Sequence, residues 1–418
     1  MSRPPPPPAP THLLRSHSAS VSTLWISQDN ERIYSGDASG NVVVSSTRSL
    51  RTISAWNAHT DSILGVEEFG SSVITHGRDN KLHVWNRIKE LPASTRLGGS
   101  AAVPDLPTPE LVCSMDVNAL NYCRFSLLPL SSGEDSDPAA LIALPNLVDS
   151  STADVWFLPP KDRIHAAIGQ ETNKPVFATQ PDSGRGSHGI IMSLHLYTST
   201  SDESGPSRSS AMPATALRLL CAYEDGSVIL RRYVRSDRPT SVEGQGWEVL
   251  WTSKSHVETI MAMSVSRSNT FSLTVSADNL IVRYDLISET EPKAAVHRAK
   301  HPGNSSIAIR DDGRVCAVGG WDGSVRLYST KSLKPLGTLR YHKSNCQALA
   351  FAHDKPTKED LGGGADEKIE HEEDSDSDDD TTASDRAAIS RWLLAGGKDN
   401  RVSVWKLMSF ESSSTTMT

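Results

Sequence analysis

Apolar positions along most of this chain come in short runs that alternate with polar ones, a period of two that fits β-strands rather than helices. The runs KLHVW (Lys81–Trp85), LIVRY (Leu280–Tyr284), SVRLY (Ser324–Tyr328) and RVSVW (Arg401–Trp405) show it best. Each comes just after a turn pair, Asp-Asn or Asp-Gly. Before the turn lies another short apolar run, as in SSVITHG (Ser71–Gly77) and RWLLAGG (Arg391–Gly397). Two strands around such a turn predict a β-hairpin.

The hairpin recurs. In four copies an Asp is followed six residues later by an aromatic residue: Asp79 with Trp85, Asp278 with Tyr284, Asp322 with Tyr328, and Asp399 with Trp405. A fifth, Asp225, has Arg231 at that place. Two weaker copies carry Ser39 and Ser150 at the anchor, the second with Trp156 six residues on. The seven anchors are 40, 71, 75, 53, 44 and 77 residues apart. The shortest spacings fit a repeat of about 40 to 45 residues, and the longer ones require insertions. Upstream of three copies stands a His followed by a further strand: His59, His256 and His342. A unit is then a His-bearing loop, three antiparallel strands, and a fourth strand leading to the next His.

The repeat decides how HGRDNKLHVWN (His76–Asn86) is read. Its His, Arg and Asp suggest catalysis, but their order departs from the His-Arg-Asp of a kinase catalytic loop. The same Gly, basic residue, Asp-Asn, basic residue and Trp return within Ala395–Leu407. Two copies of one pattern point to scaffold.

These residues resemble the WD repeat. The resemblance implies an all-β fold, a seven-bladed β-propeller with one four-stranded sheet per blade. It also implies a buried network of a His, a mid-strand Ser or Thr, the hairpin Asp and a Trp in each blade. By position the fullest copy is His59, Thr75, Asp79 and Trp85. Partial copies are His256 with Asp278 and Tyr284, Asp322 with Tyr328, and His342 with Asp399 and Trp405. Ala395 and Val318 stand where a hydroxyl is expected, and Ser39 and Ser150 where a carboxylate is.

Seven blades of about 42 residues take up roughly 300, so the surplus lies in loops and tails. Residues 91–110, 131–138, 169–189 and 199–213 read as surface insertions, several of them rich in Ser, Gly or Pro. Residues 353–390 interrupt the last unit with EEDSDSDDD, too charged to pack and expected to be disordered. Residues 1–10 form a Pro-rich, disordered start, 11–408 the propeller and 409–418 a disordered tail. Thr11–Arg15 reads as one strand, and the last unit lacks a fourth strand after Trp405. Pairing the two is expected to close the ring and remove a free edge. Deleting the first 16 residues is then expected to lower the melting temperature by many degrees.

Charge changes the picture in one place. Between Glu359 and Asp385 lie 13 acidic residues and one Lys, a balance of −12 against −8 for the whole chain, which leaves +4 elsewhere. That excess is modest for a nucleic-acid binder, so no direct nucleic-acid binding is expected. No apolar run approaches the ~18 residues of a membrane span, and the proline-rich start lacks the apolar core of a signal peptide. The five cysteines form no CxxC pair, which suits a reducing compartment. HExxH, a nucleophile elbow and a phosphate-binding glycine loop are all missing from the sequence. Neither catalytic residues, nor a cofactor, nor a metal is therefore expected, and the recurring histidines read as blade residues.

Three features stand outside the repeat. Trp321, in the turn GGWDG, is a candidate partner contact, and His297, Arg298, Lys300 and His301 form a basic loop that could engage an acidic partner. Ser375 and Ser377 each have an acidic residue three positions on, Asp378 and Asp380, as acid-directed kinases require. Phosphorylation there would add up to about −2 per site.

The Pro-rich start leading into LLRSHSASVSTL, then SAWNAHTDSILGVEEF, THGRDNKLHVW, DVNALNYCRFSL and AVGGWDGSVRLYSTKSLKPLGTLRYH in order, resembles the ASTRA-associated WD-repeat family. Its animal relatives are called guanine nucleotide-binding protein beta-subunit-like proteins. The resemblance implies a non-catalytic subunit of the ASTRA assembly, monomeric within a hetero-complex. The partners it implies are a kinase-related cofactor of the phosphatidylinositol-kinase-related class, its maturation co-chaperones and RuvB-like ATPases. It also implies a link to chromatin remodelling, with a location in the nucleus and also the cytoplasm. Two other readings stay open: a substrate adaptor of a ubiquitin ligase, and a propeller enzyme with its site in the central channel. The second needs inward His and carboxylate pairs that SILGVE, TIMAMS and SSIAIR do not show.

Overall fold

The computed structural model describes residues 8–89, 106–130, 138–170, 187–200, 215–235, 238–354 and 387–408. Their strands form seven four-stranded antiparallel sheets. Six blades are consecutive in sequence, over residues 21–57, 63–116, 126–168, 191–254, 260–298 and 304–340. The seventh takes Cys346–Phe351, Trp392–Gly397 and Val402–Lys406 from the end of the chain and His12–Leu14 from its start. His12 lies opposite Val404 and Leu14 opposite Val402. The Thr11 amide and hydroxyl both donate to the Val404 carbonyl at 2.8 Å. The N-terminal strand thus closes the ring, and the edge of Val402–Lys406 is paired.

First strands of neighbouring blades line the middle of the ring, where Val21–Ile26 packs against both Cys346–Phe351 and Ile63–Phe69. The core lies between sheets. Tyr34, Val42 and Val44 of blade one, for example, bury against Ile63, Val66 and Val73 of blade two. Second strands such as Ala140–Pro145, Phe271–Ser276 and Val315–Gly320 are buried at every position. Both their faces meet a neighbouring sheet, which is why Ala140–Pro145 reads as a continuous apolar run and why even the polar positions of Phe271–Ser276, which alternates in sequence, are buried.

Antiparallel order separates two faces. On the upper one lie the linkers entering each first strand and the hairpins between second and third strands. There Gly40 (φ +84°) and Gly323 (φ +77°) rest on the next linker: a Cβ would fall 1.8 Å from the His59 carbonyl oxygen and 2.2 Å from that of His342. The residue after the anchor Asp is left-handed at Asn80 (φ 62°) and Asn400 (φ 65°), which explains the Asp-Asn turns. The lower ends of strands are the ones joined by 90–105, 131–137, 201–214 and 355–386, whereas 171–186 joins upper ends. The expected insertions therefore fall largely outside the described residues, as do Ser375, Ser377 and the tail 409–418. At its ends, however, the segment 353–390 is ordered against expectation: the His353 amide donates to Asn30 at 2.8 Å, and Ile389 is buried in the core of the closing blade.

Candidate functional site

The upper-face network is fully formed in blade two. The linker ahead of Ile63–Phe69 buries His59, whose Nδ1 is 2.9 Å from Asp79 Oδ1 and whose Nε2 is 2.8 Å from Thr75 Oγ1. A carboxylate only accepts, so Nδ1 carries the proton and Nε2 accepts from the Thr75 hydroxyl. That hydroxyl in turn accepts from Trp85 Nε1 at 2.9 Å. The Asp79 carboxylate also takes the amides of Thr60 (3.0 Å) and Lys81 (3.3 Å). Burial alone would raise the Asp79 pKa, but the Thr60 amide and His59 outweigh it and hold the carboxyl below its ordinary value. His59 is pushed below its ordinary value by burial, against the pull of Asp79. Gly77 is required beside it, since a Cβ there would lie 2.4 Å from the imidazole.

His83 stacks on His59 with ring centroids 4.6 Å apart, and donor atoms of His59, Asp79 and His83 come within 4.8 Å of one another. They are a poor set of metal ligands. Both ring nitrogens of His59 and both oxygens of Asp79 are already hydrogen-bonded, which leaves His83 alone to donate. Asp79 is saturated for the same reason, so it has no free lone pair aimed at a substrate.

Blade five repeats the arrangement: His256 Nδ1 is 3.0 Å from Asp278 and Nε2 2.8 Å from Thr274, with Tyr284 buried in the aromatic place. Thr274 stands four residues before Asp278 as Thr75 does before Asp79, a spacing that could have found it. In blade four, Asp225 pairs with His188 at 3.1 Å. Arg231, in the aromatic place, donates to the Tyr223 hydroxyl at 2.9 Å.

Four expectations from the sequence need correction. Blade seven does not lack its hydroxyl: Ser403 supplies it, 2.9 Å from His342 Nε2 and accepting from Trp405 Nε1 at 2.8 Å, while His342 Nδ1 is 2.9 Å from Asp399. Ser403 lies directly across the ladder from Ala395, so the hydroxyl has moved to the partner strand. Blade one does not lack its carboxylate. Asp37, two residues before Ser39, is 2.8 Å from His17 Nδ1 and accepts the amides of Ser39 and Asn41, and His17 Nε2 is 2.7 Å from Ser35. Asp37 faces Val21 as Gly77 faces Ile63, so it occupies the position next to the imidazole. Blade six departs the other way: Asp322 faces Arg326 at 2.5 Å and caps the Ser324 amide, with no histidine partner among the described residues. Tyr328 there packs edge-on to His297. Finally, His297 and Arg298 belong to the strand Ala294–Arg298, not to the loop; only Lys300 and His301 do.

Ser150 of blade three indeed has no charge, but it is not idle. Asn118 takes the place of the histidine and donates to Ser150 Oγ at 2.9 Å and to the Asn146 carbonyl at 2.6 Å. Asn121 clasps the Ser150 and Ile191 carbonyls at 2.9 and 2.7 Å. Trp321 is 49% exposed in the hairpin of blade six.

The WD domain, G-beta repeat family matches residues 8–44 and 298–329. Over nearly its full length the chain is similar to ASTRA-associated protein 1 of Verticillium alfalfae, 30% identical over 96% of this chain and 93% of that protein. The protein of the same name from Schizosaccharomyces pombe is 28% identical over 82% of this chain and 93% of its own length. In Mus musculus, guanine nucleotide-binding protein subunit beta-like protein 1 is 23% identical over 96% and 97%.

Proposed function

The chain belongs to the ASTRA-associated WD-repeat family, and from that premise we propose that it is a non-catalytic scaffold subunit of the ASTRA assembly. In this role it holds a kinase-related cofactor, that cofactor's maturation co-chaperones and RuvB-like ATPases together. It thereby serves maturation of phosphatidylinositol-kinase-related kinases and chromatin remodelling, in the nucleus and also the cytoplasm. The observation that carries this reading is similarity along the whole propeller to proteins named for that association. The upper-face chemistry supports a scaffold, because the acidic and imidazole groups of the blade networks are consumed in holding linkers to hairpins. Affinity purification of the tagged full chain from its own cells, followed by mass spectrometry, tests it. The expected result is recovery of the kinase-related cofactor, its co-chaperones and RuvB-like ATPases; their joint absence overturns the reading. Imaging of the same tagged chain tests the nuclear location, which fails if the nucleus is empty.

A further inference from the structure

We propose that the upper face of blades six and seven is a docking site for a short acidic segment of a protein partner, anchored by Trp321. The inference rests on the scaffold reading but not on which assembly the chain joins.

Four consecutive loops build the surface. The linker into blade six carries Lys300 and His301, the hairpin of blade six carries Trp321, the linker into blade seven carries Lys343, and the hairpin of blade seven carries Lys398 and Arg401. All six are exposed. Direct contacts fix them side by side. The Trp321 amide donates to the Gly303 carbonyl at 2.8 Å, and its indole lies so flat on Gly303 that a Cβ there would be 2.6 Å from the ring. Gly323 abuts the carbonyls of His342 and Ser344, the Lys398 amide donates to the Asn345 carbonyl at 2.9 Å, and Arg401 donates to the Tyr341 hydroxyl at 2.7 Å. One indole face is therefore backed by rigid backbone while the other is open.

The sector is net cationic: Asp322 is paired with Arg326, and Lys300, Lys343, Lys398 and Arg401 stand against the single carboxylate of Asp399, whose Oδ1 is taken up by His342. Lys300, Lys343 and Lys398 make no ion pair among the described residues. A cationic wedge around an exposed aromatic plane fits a segment whose carboxylates or phosphates meet the lysines and whose apolar side chain covers the indole. A nucleic acid fits less well. Its repeating charge would run beyond two blades onto linkers that expose Glu258 and Asp61, whereas a short peptide ends before them.

The test uses the purified full chain and a short fluorescent peptide of Glu and Ser around a single Phe, read by polarisation. A phosphoserine version separates phosphate from carboxylate recognition, and a version with Lys in place of Glu controls for charge. Binding that weakens with salt is expected for the acidic peptide and not for the lysine peptide. The combined Lys300→Glu, Lys343→Glu and Lys398→Glu variant is expected to lose at least about tenfold in affinity, and Trp321→Ala roughly threefold or more. The same charge reversal at Lys331 and Lys334, exposed beyond the third strand of blade six on the lower face, is expected to change nothing. All substituted side chains are exposed, so each variant should melt as the parent does. Absence of binding by both acidic peptides at millimolar concentration overturns the proposal, as does equal loss in the lower-face control or tighter binding of a single-stranded oligonucleotide. None of these outcomes depends on recovery of ASTRA components, so the two readings fail separately.

Discussion

Blades two and three adjoin each other and hold their upper ends by opposite chemistry. In blade two a carboxylate and an imidazole, His59 and Asp79, tie the incoming linker to the hairpin and reach two amides besides. In blade three the same two places hold Asn118 and Ser150, and the clasp is made of neutral hydrogen bonds, extended by Asn121 to the carbonyl of Ile191 in the following blade. What the fold requires is the tie between linker and hairpin, not the charge. The charged version should then fail more severely when one partner is removed, because a buried group left without its partner costs more than a lost neutral bond.

Asp79→Ala gives the largest expected effect. It strips the imidazole of His59 and the amides of Thr60 and Lys81 of their acceptor, for a loss of about 3 kcal/mol. The melting temperature should drop by several degrees, with any loss of partner binding following from that. An unchanged melt together with a lost interaction would return Asp79 to the status of a functional residue.

Acidity provides the next largest effect, again on the blade-two side. His76 follows Thr75, is fully buried against Phe125, and is pushed down to about 3 by burial first and by the neighbouring His59 second. An unfolded histidine titrates near 6.5, so below that pH the unfolded chain binds a proton that the folded one refuses. Stability should fall as the pH drops from about 6.5 towards 3, by about 2 kcal/mol at pH 5 from this residue alone. His59 and His256, also pushed down by burial, add to the same trend. Denaturant melts of the parent and of His76→Leu at pH 7.5 and 5 check this. The variant should lose less on acidification, and equal losses would remove His76 from the account.

Five of the seven hairpins were legible in sequence because alternation and Asp-Asn or Asp-Gly turns are local signals, the copies at Ser39 and Ser150 followed from their register, and the closing strand followed from the missing fourth strand of the last unit. The network members were legible only where they keep their column. Ala395 looks like a gap until the ladder sets Ser403 opposite it, and sequence spacing does not reveal cross-strand partners. Asp37 escaped because the carboxylate moved two residues, onto the place of Gly77, and reached His17 from there. His17 itself lies in the linker between the closing strand His12–Leu14 and Val21–Ile26, and no hairpin Asp stands in the expected column to draw attention to it. Asp322 was misread for the converse reason. It keeps its column and its aromatic partner Tyr328, but the linker before blade six presents Lys300 and His301, and neither bonds to it.

The two smallest effects sharpen the comparison, one from neutral blade three and one from blade six, where the anchor Asp has no imidazole to hold. Ser150→Ala removes one acceptor of Asn118 but leaves the Asn146 carbonyl bond and both carbonyl bonds of Asn121, so the expected loss is about 1 kcal/mol. Asp322→Ala should cost still less, within about 0.5 kcal/mol, because the Asp322 carboxylate is half-exposed, so water screens its pair with the less exposed Arg326, and no buried imidazole is left behind. The order Asp79, Ser150, Asp322 in melts at neutral pH is therefore set by what is left unpaired in each blade, not by whether an Asp occupies the anchor. Should Asp322→Ala prove as damaging as Asp79→Ala, the anchor Asp would stabilise its blade through the hairpin amides alone, and the imidazole would lose its part in the explanation.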